Sequence, residues 1–221
     1  MTLTRDHEGI PTIKLLLWGP AGVGKTDYFT IMQVLKLLEN PETVKSITKI
    51  KSTKGDTLFF DRAVLGLGEK CKLHLVTTPG EDRHAGQRKI ISEGSNACIA
   101  VLDASKAQWK ENQDSLEELN RILGPKIANK EIPSWVLVNK REGLPNDTQM
   151  DVNDTKKLLE VSGMDSLSPR ISTVNIAVAK SELIDIIKKS PKKAREPKTR
   201  PKSVNALVTP LKTVLKEVLT A

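Results

Sequence analysis

Aromatic residues are scarce, at 3% of 221 positions, and only two cysteines occur. A core with so few rings must rest on Leu, Ile and Val. Cys71 and Cys98 are far apart and sit in apolar, strand-like stretches, so they read as buried thiols rather than a disulfide or a metal site. No run approaches the roughly 18 apolar residues of a membrane span. The first residues lack an apolar signal core and a myristoylation glycine, and the last lack a prenylation cysteine. A soluble, cytoplasmic protein is expected. Acidic charge is also in short supply, because Lys and Arg outnumber Asp and Glu by eight. That excess is local. Residues 188–202 carry eight basic side chains against one acid, which accounts for seven of the eight net charges.

What remains is a chain long enough for one substantial domain. Residues 13–18 are apolar apart from Lys14, the mark of a strand buried on both faces. A glycine-rich turn at 19–24 follows, and then a helix whose Tyr28, Ile31, Leu35 and Leu38 step by three and four. Residues 42–57 are polar without clear period and read as a loop. Strands are expected over 58–64 and 72–77, as a hairpin at a sheet edge, and over 97–102, 135–138 and 171–178. Helices are expected over 82–92, 151–162, through Leu116, Leu119 and Leu123, and at the end of the chain through Leu207, Leu211, Leu215 and Val218. The alternation predicts an α/β fold with a mostly parallel central sheet and helices on both faces. Residues 1–10 read as a flexible N-terminus. The Pro- and Lys-rich 188–202 read as a disordered basic insertion between 11–187 and 203–221, the two parts of one domain.

Residues 19–26 read G-P-A-G-V-G-K-T, a full match to the phosphate-loop pattern. Glycines let backbone N–H groups converge on phosphate oxygens without a Cβ in the way. Lys25 supplies a point charge to the terminal phosphates, and Thr26 a hydroxyl to Mg²⁺ at a helix N-terminus that itself favours anions. The nucleotide-contacting set here is Gly19, Ala21, Gly22, Val23, Gly24, Lys25, Thr26 and Asp27.

After the strand at 135–138 comes N-K-R-E: Asn139, Lys140, Arg141 and Glu142. It resembles the N-K-x-D that GTPases of the Ras and Arf type carry in this place, where the carboxylate accepts two hydrogen bonds that guanine donates and adenine does not. Glu142 offers that chemistry on a stem one methylene longer than Asp. Thr77-Thr78-Pro79-Gly80-Glu81 ends a strand and precedes a helix, and resembles in its place the D-x-x-G-Q segment of GTPases, which implies that Gly80 donates its N–H to a γ-phosphate. Thr57 closes the long polar loop, where a second hydroxyl would reach Mg²⁺.

These stretches resemble the MglA-like GTPases, prokaryotic relatives of Ras and Arf. The matching residues are W-G-P-A-G-V-G-K-T at 18–26, D-T-L-F-F-D at 56–61, T-T-P-G at 77–80 and Q-R-K-I-I-S-E-G at 87–94. Further matches are V-L-D-A-S at 101–105, N-K-R-E at 139–142 and L-K-T-V-L-K-E-V-L-T at 211–220. The resemblance implies a Ras-like fold, binding of GTP and GDP with Mg²⁺ held at Thr26 and Thr57, and a roadblock-type partner that stimulates hydrolysis. Lys25, Thr57, Gly80 and Glu81 would be the catalytic set. The sequence departs from the family at Glu81, where Gln is expected, and at Asp56, where Arg is expected. A slow GTPase switch and a nucleotide-holding recruitment module are therefore both open. The loop backing the base falls at Ala177 and Val178, or at Ala179 and Lys180. His84 lies beside this second switch. The basic segment would contact an anionic membrane or an acidic protein weakly. Its lack of aromatic residues argues against specific nucleic-acid binding.

Overall fold

The structure, a computed structural model, describes residues 3–51, 57–68, 71–80, 85–168 and 170–220. One mixed sheet carries the fold. Its strands are β1 (Thr4–Arg5), β2 (Pro11–Trp18), β3 (Val44–Lys51), β4 (Thr57–Gly66), β5 (Lys72–Thr77), β6 (Ala97–Asp103), β7 (Ser134–Asn139) and β8 (Ile171–Val174). They lie in the order β3-β4-β5-β2-β6-β7-β8, with β1 paired to β2. The β5-β2-β6-β7-β8 run is parallel, while β3 and β4 are antiparallel additions on one side.

Helices cover both faces: α1 (Lys25–Glu39), α2 (Ala85–Ser92), α3 (Trp109–Ala128), α4 (Val152–Val161), α5 (Ile176–Lys189), α6 (Pro191–Arg195) and α7 (Lys202–Thr220). The period of two along β2 divides its side chains. Ile13, Leu15 and Leu17 join a core built with Tyr28, Leu35, Leu207 and Val214 of α1 and α7. Leu16 and Trp18 join another, with Leu116 and Leu119 of α3 and Leu158 and Leu159 of α4. Each fully buried Leu contributes roughly 1.5–3 kcal/mol, so aliphatic side chains suffice without many rings. Local signals agree where they are strong. Asp151 caps α4 by accepting from the N–H of Asp154, which returns the bond to the Asp151 N–H.

Five expectations need correction. The stretch read as a loop over 42–57 contains β3, whose register with β4 shifts twice. The apolar residues of β3, Val44, Ile47 and Ile50, recur every third position and so lack the period of two that marks a strand, and β3 rather than the 58–77 hairpin is the outermost strand on that side. The strand expected over 171–178 stops at Val174, because Asn175 accepts from the N–H of Val178 and starts α5. The N-terminal residues are held: β1 pairs with β2, and Asp6 accepts from the N–H groups of Glu8 and Ile10 while Lys72 pairs with Asp6 and Glu8.

Residues 188–202 are not a disordered insertion. The end of α5 and all of α6 fall within them, Ala194 is fully buried, and the Arg200 guanidinium is buried as well. Arg200 donates to the carbonyls of Ala194 and Arg195, both at 2.7 Å, and pairs with Glu39 at the end of α1. Composition counted eight cations, but one of them is an internal anchor.

Candidate functional site

The glycine-rich loop joins β2, in the middle of the parallel strands, to α1. Gly19 sits at φ 143°, and a Cβ there would lie 2.1 Å from the Val101 carbonyl oxygen, so no other residue fits. Lys25 is buried, and its Nζ donates to the carbonyls of Gly19 and Pro20, both at 2.6 Å. Burial pulls its pKa down to about 7; the nearby Arg88 cation pushes the same way and Asp61 opposes them. Thr26 Oγ1 donates to Asp61 Oδ2 at 2.9 Å, and the Asp61 N–H donates to Thr77 Oγ1 at 2.8 Å. Asp61 is fully buried, and its Oδ1 has no hydrogen-bond partner among the described residues.

The segment after β5 closes on the same loop. A Cβ on Gly80 would stand 2.4 Å from the Ala21 nitrogen, so its glycine permits a backbone contact. Thr78 is tied to Leu17 through both N–H and hydroxyl. Arg88, buried on α2, makes a two-pronged pair with Glu118 of α3 and donates to the Pro79 carbonyl at 3.4 Å. Gly19, Pro20, Ala21, Gly80, Arg88 and Glu118 face a cleft of about 360 Å³.

The 139–142 turn is tied to the loop from the far side. Asn139 Nδ2 donates to the Val23 carbonyl at 3.0 Å, and its Oδ1 accepts from the N–H of Ile176 at 2.9 Å. One amide therefore links the glycine-rich loop, the end of β7 and the first turn of α5. The Lys140 N–H donates to the Val174 carbonyl. Arg141 pairs with Asp103, a buried carboxylate at the end of β6 that also accepts from the Ser105 N–H. Glu142 is exposed. In α5, Ala177 is exposed in the first turn and Ala179 is fully buried, so Ala177 and Val178 are the pair at the surface. Lys180 reaches Asp27 at 2.7 Å and joins α5 to α1.

The geometry thus brings Gly19, Lys25, Thr26, Gly80 and Asn139 to one end of the parallel strands. Thr57 opens β4, but its side chain lies outside the described residues, as do Asp56, Glu81 and His84. Asp61, Arg88 and Asp103 do not stand out as site residues in the sequence. Only Asp61 had a signal, a carboxylate closing the apolar T-L-F-F-D strand. The other two depend on tertiary partners, Glu118 of α3 for Arg88 and Arg141 of the turn after β7 for Asp103, which spacing does not reveal.

Mg²⁺ fits the donors present. A buried carboxylate oxygen without a partner beside a hydroxyl is an all-oxygen set, the kind that Mg²⁺ completes with phosphate oxygens and water. Among the described residues no helix is long and apolar enough to cross a membrane. Both cysteines are buried and unbonded.

The fold and this loop define an α/β protein whose glycine-rich turn is clasped by the ends of β5 and β7. No family model matches the chain. It is 32% identical over 130 residues to an uncharacterized protein of Methanocaldococcus jannaschii, MJ1339; the match spans 59% of this chain and 71% of that protein. The chain belongs to the same family as this archaeal protein.

Proposed function

We propose that the chain is a small guanine-nucleotide switch with a Ras-like fold, of the MglA-like kind, which binds GTP and GDP with Mg²⁺. The observation that carries this reading is the convergence of Lys25, Thr26 and Gly80 on one glycine-rich loop. Lys25 is held among carbonyls in a space that phosphate oxygens would fill, and its ammonium would turn to them. Mg²⁺ would rest on Thr26 and Asp61, with Thr57 as the expected second hydroxyl, and would neutralise charge developing on the phosphates. Glu142 would select the base, with Asn139 and Lys140 bracing its turn and Ala177 and Val178 backing the ring.

Hydrolysis by the chain alone is slow on this reading, because neither the Gln expected at 81 nor the Arg expected at 56 is present. A roadblock-type partner would supply what is missing. The protein would act in the cytoplasm, with the basic 188–202 surface giving weak contact with an anionic membrane or an acidic protein.

The decisive experiment identifies the nucleotide that co-purifies and competes ATP and GTP against labelled GDP. GTP displaces it and ATP does not, and Glu142→Ala removes most of that preference. Equal displacement by ATP overturns the guanine assignment. Single-turnover hydrolysis with Mg²⁺ then separates a slow switch from a module that only holds nucleotide.

A further inference from the structure

We infer that the cavity at the foot of α2 and α3 is a second binding site, for a small phosphate-bearing molecule. The inference stands apart from the nucleotide reading, because this cavity shares no lining residue with the glycine-rich cleft. Its volume is about 350 Å³, within the range of small-ligand pockets.

Its walls combine apolar surface with hydroxyls. Leu123 and Ile132 are buried at its lining, beside Ser92 and Ser95. The Ser92 hydroxyl is engaged, donating to the Arg88 carbonyl at 2.6 Å. The Ser95 hydroxyl is not. Ser95 is 7% exposed, and its Oγ has no hydrogen-bond partner among the described residues. Native proteins rarely leave a buried hydroxyl unpaired, and one in a cavity wall marks where an outside partner belongs.

Charge identifies that partner. Lys89 of α2 and Arg121 and Lys126 of α3 also line the cavity and are exposed. None of the three is in an ion pair among the described residues. Glu93 is the one acid among the described lining residues, and its backbone carbonyl receives the Lys14 ammonium at 2.7 Å. Three unpaired cations around a concave site repel a metal ion and attract an oxyanion. Tetrahedral phosphate offers enough acceptor oxygens for the Arg121 fork, the two ammonium groups and the Ser95 hydroxyl together. An apolar body attached to that phosphate would lie on Leu123 and Ile132.

The test titrates the full chain with phenyl phosphate at constant ionic strength and follows backbone amides by NMR. Amides of 92–95 and 121–126 shift and saturate, and inorganic phosphate binds the same place more weakly. Arg121→Gln with Lys126→Gln, both solvent-exposed sites, weakens binding by about tenfold or more, and Ser95→Ala weakens it by about threefold. Amides of 19–26 report the glycine-rich loop in the same spectra, so failure at one site is read separately from failure at the other. Shifts that never saturate, shifts confined to 19–26, or unchanged affinity in either variant would overturn the proposal.

Discussion

The Thr26 hydroxyl donates to the Asp61 carboxylate, thirty-five residues on, across 2.9 Å. This bond joins the first turn of α1 to the middle of β4, and leaves the other Asp61 oxygen buried without a partner among the described residues. A carboxylate in that condition is stabilised by a cation. If Mg²⁺ occupies the place, Asp61→Asn keeps the shape and removes the charge. Affinity for GDP then falls by about 10–100-fold in Mg²⁺ and changes little in EDTA. Equilibrium titration of a fluorescent GDP under both conditions decides it. An equal loss with and without Mg²⁺ would assign Asp61 a purely structural role.

Lys25 makes the nucleotide-free protein sensitive to pH. Its folded pKa, near 7, lies below the ordinary 10.5. Between those values the unfolded chain binds a proton that the folded chain releases. Stability therefore rises as pH goes from 7 towards 10.5, and the contribution is level below 7. Urea unfolding across that window measures the slope. Lys25→Met abolishes it and raises stability at pH 7 by roughly 1–4 kcal/mol. On the proposed reading bound nucleotide also removes the slope, because an anion beside Nζ keeps the ammonium protonated.

Asn139 tests whether the 139–142 turn and the glycine-rich loop are one device. Its amide serves Val23 on one side and Ile176 on the other. Asn139→Ala leaves a part-buried carbonyl and N–H unpaired, at a cost of roughly 2–4 kcal/mol for the two. On the proposed reading guanine nucleotide affinity falls by about tenfold or more as the two loops separate. Thermal unfolding and GDP titration of the same sample check both. Lost stability with unchanged affinity would confine Asn139 to the scaffold.

These sites show how far the sequence was legible. The strand, the glycine-rich turn and the helix after it could be read because burial on both faces and a 3.6 period leave plain marks at 13–18 and at Tyr28, Ile31 and Leu35. Gly80 and Asn139 could be placed because Gly80 lies three residues after one strand, β5, and Asn139 closes another, β7. Partnerships between distant helices left no such mark. Arg88 is one basic residue in a polar helix until α3 brings Glu118 against it. The α5 start was hidden because Ile176-Ala177-Val178 suits a strand, and only the Asn175 cap reverses that preference. Composition misled most at 188–202, where one buried arginine outweighs the polarity of its neighbours.

Arg200 supplies the last prediction. Its guanidinium collects the Ala194 and Arg195 carbonyls and the Glu39 carboxylate, so the basic segment is pinned to the end of α1. Arg200→Leu leaves two carbonyls without their donor and costs roughly 2–3 kcal/mol, with Glu39 adding little because it is partly solvated. A loose tether would lose nothing. The same substitution exposes the chain at Lys192, Lys193 and Arg195, so limited trypsin digestion cuts there faster than in the parent protein. Replacing Lys192 and Lys193 with Gln removes charge from exposed positions and leaves stability within about 0.5 kcal/mol. On the membrane reading, that double variant loses low-salt binding to phosphatidylserine vesicles while GDP affinity holds. Fixed geometry and surface charge thus separate into two measurements on one segment. Rapid cleavage of the parent protein at Lys192 and Lys193, with no stability change in Arg200→Leu, would restore the tether.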